Sequence, residues 1–200
     1  KGFVCNDDQN LKNIIRKTKN KNFYTYGKDK KSNFQIVNVK QTSNLSSFDI
    51  KINIPSKKKI IKRIKLPMIG MHNIRNATAA ISLAFTIGLP EKCIKAGIYN
   101  FKGVQRRFSH LFDYNNISFY DDYAHHPTEI SSVLSGVEKV YKNKEIVCVF
   151  QPHRISRVIS LKKEFSKCFK KADTVLLCPI YAANEKLRLN FTYHSFAKLI

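Results

Sequence analysis

The chain lacks several features that would place it in a common class. Its five cysteines are an odd number and form no Cys-x-x-Cys pair, so neither a disulfide framework nor a cysteine zinc site is indicated. No signal peptide opens the sequence, and no apolar run reaches the roughly 18 to 20 residues that a membrane helix needs. We therefore expect a cytoplasmic protein that contacts no membrane.

Acidic residues are also scarce, at 14 against 36 lysines and arginines, which gives a formal net charge of +22. Such a charge is typical of proteins that bind nucleic acid. Here the lysines are spread along the whole chain, and no arginine-rich arm or aromatic-interleaved motif accompanies them. We expect no nucleic-acid partner, and a basic, non-enzymatic nucleic-acid-binding module stays the alternative. The densest run, residues 57–65, is interpreted as an edge strand protected by lysine.

Hydrophobic residues make up 43% of the sequence, which is enough for a folded core. The first half of the chain contains short β-rich segments and helical segments separated by Gly, Asn, Ser and Pro. The predicted elements are a strand at residues 2–5, a helix at 9–17, short strands between 23 and 66, and helices at 72–87 and 90–99.

The second half alternates apolar strands with helical segments. The pattern predicts a strand ending near residue 120, a helix at 127–141, a strand at 146–150, a helix at 156–171 and a strand at 174–178. This order is typical of an α/β fold with a parallel, Rossmann-like sheet and right-handed crossovers. We place a domain boundary after residue 108.

Polar residues follow each predicted strand of this second half. They lie at residues 121–126, at residues 151–154 together with Arg157, and at residues 181–185. Because parallel sheets bind ligands beyond the carboxyl ends of their strands, we expect the three clusters to share one rim. Arg154 can grip a carboxylate or phosphate with its guanidinium, and the start of the helix at 156 would add attraction for an anion. The rim therefore predicts an anionic or zwitterionic substrate.

Each of these residues also has a purely structural interpretation. Asp122 can cap the following helix, and the arginines can pair with nearby carboxylates such as Glu164. His125 and His126 can be plain loop residues, or metal ligands together with Glu129.

The amides and the arginine pair at the domain boundary leave alternatives open as well. Asn73 needs no role beyond capping, whereas Asn76 lies one turn inside a helix, where asparagine is unfavourable. Of Arg106 and Arg107, either can be an interdomain charge pair or a contact to a nucleotide phosphate.

Four stretches, taken together, resemble the Mur ligase family in their order and spacing. They are residues 70–77 (Gly-Met-His-Asn-Ile-Arg-Asn-Ala), 103–108 (Gly-Val-Gln-Arg-Arg-Phe), 121–130 (beginning Asp-Asp-Tyr-Ala-His-His-Pro) and 150–154 (Phe-Gln-Pro-His-Arg). The last three are similar to members that use ATP to join L-alanine to UDP-N-acetylmuramate in peptidoglycan synthesis. Members that recycle a tripeptide share the third stretch but have a Glu-Pro-Arg-Ser type sequence at the fourth.

The resemblance implies a role for each matching residue. It implies nucleotide contacts for four side chains: Asn76 to adenine, Arg107 to an ATP phosphate, Asp122 to ribose, and Tyr123 lining the same region. It implies a catalytic role, holding L-alanine and the negative charge of a tetrahedral intermediate, for three more: His125, Arg154 and Arg157. Residues 1–108 would be the C-terminal part of the central ATP-binding domain, and residues 109–200 most of the amino-acid-binding domain.

The family's phosphate loop and the Glu and His that hold Mg²⁺ find no match in the sequence, which contains no Gly-x-x-x-x-Gly-Lys-Ser/Thr. We therefore expect a fragment with no metal ligands of its own, whose ATP and Mg²⁺ contacts are completed upstream and which does not ligate alone. An unrelated nucleotide-binding α/β enzyme is a further alternative.

Overall fold

The computed structural model describes residues 1–19, 22–185 and 192–200, and of Tyr193 only the backbone. The fold is mixed α/β and divides into two compact units, Lys1–Gly103 (unit 1) and Val104–Ile200 (unit 2). Across the described ranges, no helix has both the length and the apolar composition needed to cross a bilayer.

Unit 1 is built on one five-stranded sheet with the helices of the unit packed beside it. Its elements in chain order are β1 (Gly2–Cys5), α1 (Gln9–Lys17), β2 (Phe23–Gly27), β3 (Phe34–Gln41), β4 (Ser46–Ile54), β5 (Lys57–Leu66), α2 (Met71–Thr86) and α3 (Glu91–Tyr99). The strands lie in chain order, and β1, β2 and β3 are parallel whereas β3, β4 and β5 are antiparallel. The predicted helices and strands of this half are all present.

Alternating side chains of the sheet form the core of unit 1. Every second residue of β4 is buried, which is the two-residue period of a strand with one face covered. Ile74 and Ile81 of α2 are completely buried against that face. On β5 the lysines are exposed and only three apolar residues are buried, so the prediction of a lysine-protected edge strand is confirmed.

Unit 2 contains a hairpin, a parallel strand pair and four helices among its described residues. They are β6 (Ser109–Tyr114), β7 (Ile117–Asp121), α4 (Pro127–Val140), β8 (Val147–Phe150), α5 (Ile155–Ser160), α6 (Lys162–Cys168), β9 (Thr174–Leu177) and α7 (Tyr193–Ala197). Four phenylalanines, Phe150, Phe165, Phe169 and Phe196, are buried in the core of unit 2, each at most 5% exposed.

Two details of unit 2 differ from the prediction. β7 pairs antiparallel with β6, a hairpin that was not predicted. Within the described part of the chain, β8 pairs only with β9 and not with β7. A cavity of about 480 Å³ lies where β7, α4 and β8 face one another. The predicted helix at 156–171 is two helices, because Leu161 leaves helical geometry (φ −112°, ψ 27°) and packs against the core.

Candidate functional site

The start of helix α2 is fixed by backbone conformation and by Asn73. Gly70 precedes the helix with φ +92°, a conformation that favours glycine. The buried side chain of Asn73 donates from Nδ2 to the carbonyl of Ile69 at 2.8 Å. Asn73 therefore holds the preceding turn rather than capping the helix as expected. Asn76, one turn further, is exposed and stays free to present its amide to a ligand.

The carboxylate of Asp122 organises the loop that follows β7. Its Oδ2 accepts a hydrogen bond from the backbone N–H of Phe108 at 2.8 Å, and its Oδ1 accepts one from Ala124 at 2.7 Å. Asp122 does not cap α4, whose N-cap residue is His126. A carboxylate has about four lone-pair positions, so each oxygen keeps capacity for a further donor such as a hydroxyl.

The two arginines at the start of unit 2 have different surroundings. Arg106 donates from Nε to Asp121 at 3.2 Å, and its guanidinium lies 4.8 Å from the centre of the Tyr123 ring. Its carbonyl accepts from the backbone N–H of Tyr123 at 2.8 Å. Arg106 therefore holds the loop, whereas the side chain of Arg107 is exposed. The contact of Arg107 with a nucleotide phosphate stays a prediction.

His125 is held in one orientation by its own loop. Its Nδ1 lies 2.8 Å from the carbonyl oxygen of Tyr123. A carbonyl only accepts, so Nδ1 must donate, and Nε2 is the atom that can meet a ligand. The backbone N–H groups of His125 and His126 both donate to Oε2 of Glu129, at 3.2 and 3.3 Å. The His126 side chain accepts in turn from Thr128, which completes a capping box at the start of α4.

Glu129 is charged in this position. Burial favours a higher pKa, but the N–H donors of His125 and His126 and the charges of His125 and Arg107 outweigh it and lower the pKa of Glu129. Glu129 is therefore the charged N3 member of the capping box, a role that was not predicted for it. Among the residues that the structure describes, no three His, Cys, Asp or Glu side chains are grouped to hold a metal ion.

Four rings from the three predicted clusters lie next to one another in a row. Tyr123 meets His125 with ring centres 4.8 Å apart, His125 meets His153 at 5.6 Å, and His153 meets Tyr181 at 5.2 Å. We call these four residues the ring row. The segments after β7, β8 and β9 therefore share one rim, as the sequence predicts.

His153 has a buried ring nitrogen, Nδ1, and no hydrogen-bond partner for it exists within the described ranges. Burial, followed by the positive charges of Arg157, His125 and Arg154, lowers the pKa of His153, while Glu185 opposes that shift. His153 is therefore neutral at pH 7.

The two predicted rim arginines lie on either side of the turn into α5. The backbone N–H of Arg154 donates to the carbonyl of Tyr181 at 2.9 Å, and the backbone of Arg154 adopts φ +68°. The Arg154 side chain is exposed. Arg157 is half-buried and donates from Nη1 to the carbonyl of His153 at 3.3 Å. Neither arginine pairs with Glu164, so both guanidinium groups keep donors for an anion.

The prediction that the start of helix α5 attracts an anion is wrong. α5 is only six residues long, and the carboxylate of Glu185, from the segment after β9, lies at its N-terminus. The backbone N–H and the hydroxyl of Ser156 donate to the two carboxylate oxygens of Glu185 at 2.8 and 2.6 Å. The N–H of Ser156 at the helix start is therefore already bonded within the chain.

Comparison with known proteins identifies the family of this chain. The model for the Mur ligase middle domain matches residues 1–84, and the model for the Mur ligase glutamate ligase domain matches residues 106–194. The chain belongs to the Mur ligase family. A UDP-N-acetylmuramate–L-alanine ligase from Pelagibacter ubique is 59% identical over 199 residues, which is 99% of this chain and 43% of that protein. The chain therefore spans less than half the length of this Mur ligase.

Solved Mur ligase structures resemble the fold. The UDP-N-acetylmuramate-alanine ligase from Thermotoga maritima has a TM-score of 0.66 at 32% identity, covering 80% of this chain and 35% of that one. A murein peptide ligase from Psychrobacter arcticus has a TM-score of 0.60 at 23% identity, covering 88% of this chain and 36% of that one. The second likeness shows the fold alone.

The predicted clusters contain three residues for which the sequence predicted no role. His153, Tyr181 and Glu185 lay in the predicted clusters, but only the ring contacts and the Ser156 bonds show what they do. The capping role of Glu129 had a signal in its position two residues after Pro127, at the third residue of the helix. Nothing local in the sequence indicates the Arg106 contacts.

Proposed function

We propose that this chain is part of an ATP-dependent ligase that joins L-alanine to the carboxylate of UDP-N-acetylmuramate, the first stem-peptide step of peptidoglycan synthesis. The observation that carries the proposal is the 59% identity to a ligase of that name over 99% of the chain. In this proposal residues 1–108 are part of the central ATP-binding domain, and residues 109–200 are part of the amino-acid-binding domain.

The reaction has two steps that the side chains must support. The substrate carboxylate attacks the terminal phosphorus of ATP and becomes an acyl phosphate as ADP leaves. The amine of L-alanine then attacks the acyl carbon, and the tetrahedral intermediate expels phosphate as the amide forms. Both steps depend on positioning and on stabilising negative charge. Charged donors fixed at a protein rim are suited to that task.

The amino-acid end of the proposed site is the ring row with its arginines. Arg154 and Arg157 supply guanidinium donors for the L-alanine carboxylate and for the oxyanion of the intermediate. His125 presents Nε2, because its Nδ1 is committed to the Tyr123 carbonyl. The neutral His153 gives the row a member without charge, which limits repulsion of the L-alanine ammonium group before it loses its proton and attacks as the amine.

The nucleotide contacts are assigned one residue at a time. Asn76 offers an exposed amide for a base edge, and Arg107 an exposed guanidinium for a phosphate. Asp122 keeps acceptor capacity for ribose hydroxyls, and the Tyr123 ring lies beside it. Mg²⁺ is part of the proposal through the family resemblance only. No donor set among the described residues fits it, so no step is assigned to a metal held by this chain.

The proposal is tested in a chimera in which this chain replaces the 199 matched residues of the Pelagibacter ubique ligase. We expect phosphate release from ATP that requires both UDP-N-acetylmuramate and L-alanine. Arg154→Ala should reduce kcat/KM for L-alanine by about 100-fold, which corresponds to the loss of a charge-assisted hydrogen-bond pair worth about 2 to 3 kcal/mol. Arg154→Lys is the matched control that keeps the charge without the fork.

Two results would count against the proposal. A chimera with a native circular dichroism spectrum that releases phosphate with a tripeptide and not with L-alanine would identify a recycling ligase instead. A folded but inactive chimera whose chain binds nucleic acid steeply in salt, with no effect of Arg154→Ala, would favour the basic binding module that the net charge of +22 suggests.

A further inference from the structure

One carboxylate in unit 1 joins three segments of the fold. Asp7 lies just after β1, and its Oδ1 accepts hydrogen bonds from the backbone N–H groups of Lys28 and Asp29 at 2.8 and 3.1 Å. Its Oδ2 accepts from Nε of Arg75 in helix α2 at 2.7 Å. The carboxylate thus connects the end of β1, the turn after β2 and the first part of α2.

The local backbone is shaped to admit this carboxylate. Gly27 at the end of β2 has φ +145°, and a Cβ atom there would lie 2.6 Å from Oδ1 and 2.8 Å from Cγ of Asp7. Only glycine fits both the conformation and the space. The Asp7 side chain is 12% exposed and the Arg75 side chain 34% exposed, so the ion pair is shielded from water on one side. Burial opposes charge on Asp7, but Arg75 and the two N–H donors lower its pKa.

Arg75 immediately precedes Asn76 in the sequence. Successive residues of an α-helix point about 100° apart around its axis. Holding Arg75 against the strand ends therefore fixes the rotation of α2 and the direction in which Asn76 is presented. Asn73 and Gly70 fix where the helix starts, and the Asp7–Arg75 pair fixes how it is turned.

We propose that Asp7 and Arg75 are positioning residues for nucleotide binding, and that they act by fixing the rotation of α2 from which Asn76 projects. The inference rests on the proposed contact of Asn76 with adenine. It predicts that breaking the pair weakens binding of ATP while the chemistry on bound ATP proceeds at its ordinary rate. Such loss of uniform binding raises KM and leaves kcat unchanged.

The experiment measures KM for ATP and kcat in the chimera described above, with the other substrates saturating. Asp7→Asn keeps an oxygen for the Lys28 and Asp29 N–H groups and removes only the ion pair. We expect it to raise KM for ATP about five- to tenfold with kcat within twofold. Arg75→Gln should do the same, and the double variant should be no worse than either single variant, because the second change finds the pair already broken.

Glu91→Gln is the control, since Glu91 forms an ion pair of similar length with Lys59 at 2.8 Å in the same unit. It should leave KM for ATP unchanged. Arg75→Lys is the milder second variant, should Arg75→Gln fail to fold, and is expected to lose less affinity than Arg75→Gln.

The outcomes distinguish a failure of the positioning role from a failure of the proposed function. If Asn76→Ala raises KM for ATP but Asp7→Asn and Arg75→Lys do not, the positioning role is overturned and the proposed function stands. If Asn76→Ala has no effect on KM for ATP, the adenine contact itself is wrong and the inference falls with it. Equal effects of Asp7→Asn and Glu91→Gln would show a general loss of stability instead of positioning.

Discussion

Replacing Glu129 with alanine should lower the free energy of unfolding and loosen the loop that carries His125. Glu129 accepts two backbone N–H groups, those of His125 and His126, through a single oxygen. Removing it leaves both donors and the start of α4 without their partner. The variant therefore perturbs the loop of His125 without replacing any side chain of the ring row.

The size of the effect follows from the capping geometry. Loss of a cap costs about 0.5 to 2 kcal/mol, and loss of a negative charge in the first helical turn about 0.3 to 1 kcal/mol. The two bonds are long, at 3.2 and 3.3 Å, and the side chain is half-buried, so water replaces part of the loss. We expect about 1.5 kcal/mol for Glu129→Ala. Glu129→Gln keeps an acceptor and should cost about half as much.

The effect should depend on pH in one direction. The pKa of Glu129 in the folded chain lies below its ordinary value of 4.5, so the unfolded state binds more protons as the pH falls. The stabilisation is fully present above pH 4.5 and is lost as the pH falls through the lowered pKa. The difference between the unaltered chain and Glu129→Gln should therefore be constant near pH 7 and shrink below pH 4.5.

Urea unfolding followed by circular dichroism measures the free energy, and amide hydrogen exchange reports on His125 and His126 directly. Glu138→Ala is the control, because Glu138 lies on the same helix and forms only an exposed ion pair with Lys171. It should cost less than 0.5 kcal/mol. Equal losses for the two variants, or unchanged exchange at His125 and His126 in Glu129→Ala, would refute the capping role.

Three further predictions concern the two cores and the thiols. Phe165→Ala should lower the free energy of unfolding by about 3 to 5 kcal/mol in urea titrations, because the ring is 1% exposed, and a loss below 1 kcal/mol would contradict the packing. Gly27→Ala should cost about 2 to 4 kcal/mol in the same assay because of its φ of +145° and the contact with Asp7. Iodoacetamide at pH 8 should label the exposed Cys93 and spare Cys168 until urea is added, since burial raises the pKa of Cys168 to about 12. Equal labelling of the two thiols, measured by peptide mass spectrometry, would contradict this prediction.

Much of the fold was predictable because it depends on local sequence patterns. Helix α1 begins after Asp8, whose side chain accepts from Leu11, and α3 begins after Pro90, so each start has a residue with a local reason to be there. The apolar alternation of β4 and the lysines of β5 likewise reflect one covered face and one free edge. For the site, the rule that ligand residues follow strand ends placed His153 and Tyr181 together, since both follow strands of the parallel β8–β9 pair. It also placed His125 beside them, although β7, which His125 follows, pairs antiparallel with β6.

What could not be predicted depends on contacts between distant segments. The break at Leu161 changes no periodicity, because the apolar residues on both sides still reach the core. The bond of Glu185 to Ser156 spans 29 residues, and that of Asp7 to Arg75 spans 68. The β6–β7 hairpin does have a local signal, the pair Asn115 and Asn116. Asparagine tolerates the positive φ that a two-residue turn between antiparallel strands requires, and both residues adopt it.

Backbone strain is concentrated around the ring row. Asparagine tolerates a positive φ, whereas other residues lose about 1 to 2 kcal/mol there. Among the described residues, those with positive φ that are neither glycine nor asparagine are Arg63, Arg106, Phe108, Arg154 and Ala183. Arg63 lies in β5 where its register against β4 shifts. Arg106 and Phe108 contact the loop after β7, and Arg154 and Ala183 lie in the segments after β8 and β9. Glycine would hold these conformations without the steric cost. The strained φ of +68° at Arg154 therefore supports the proposal that its side chain acts at the rim.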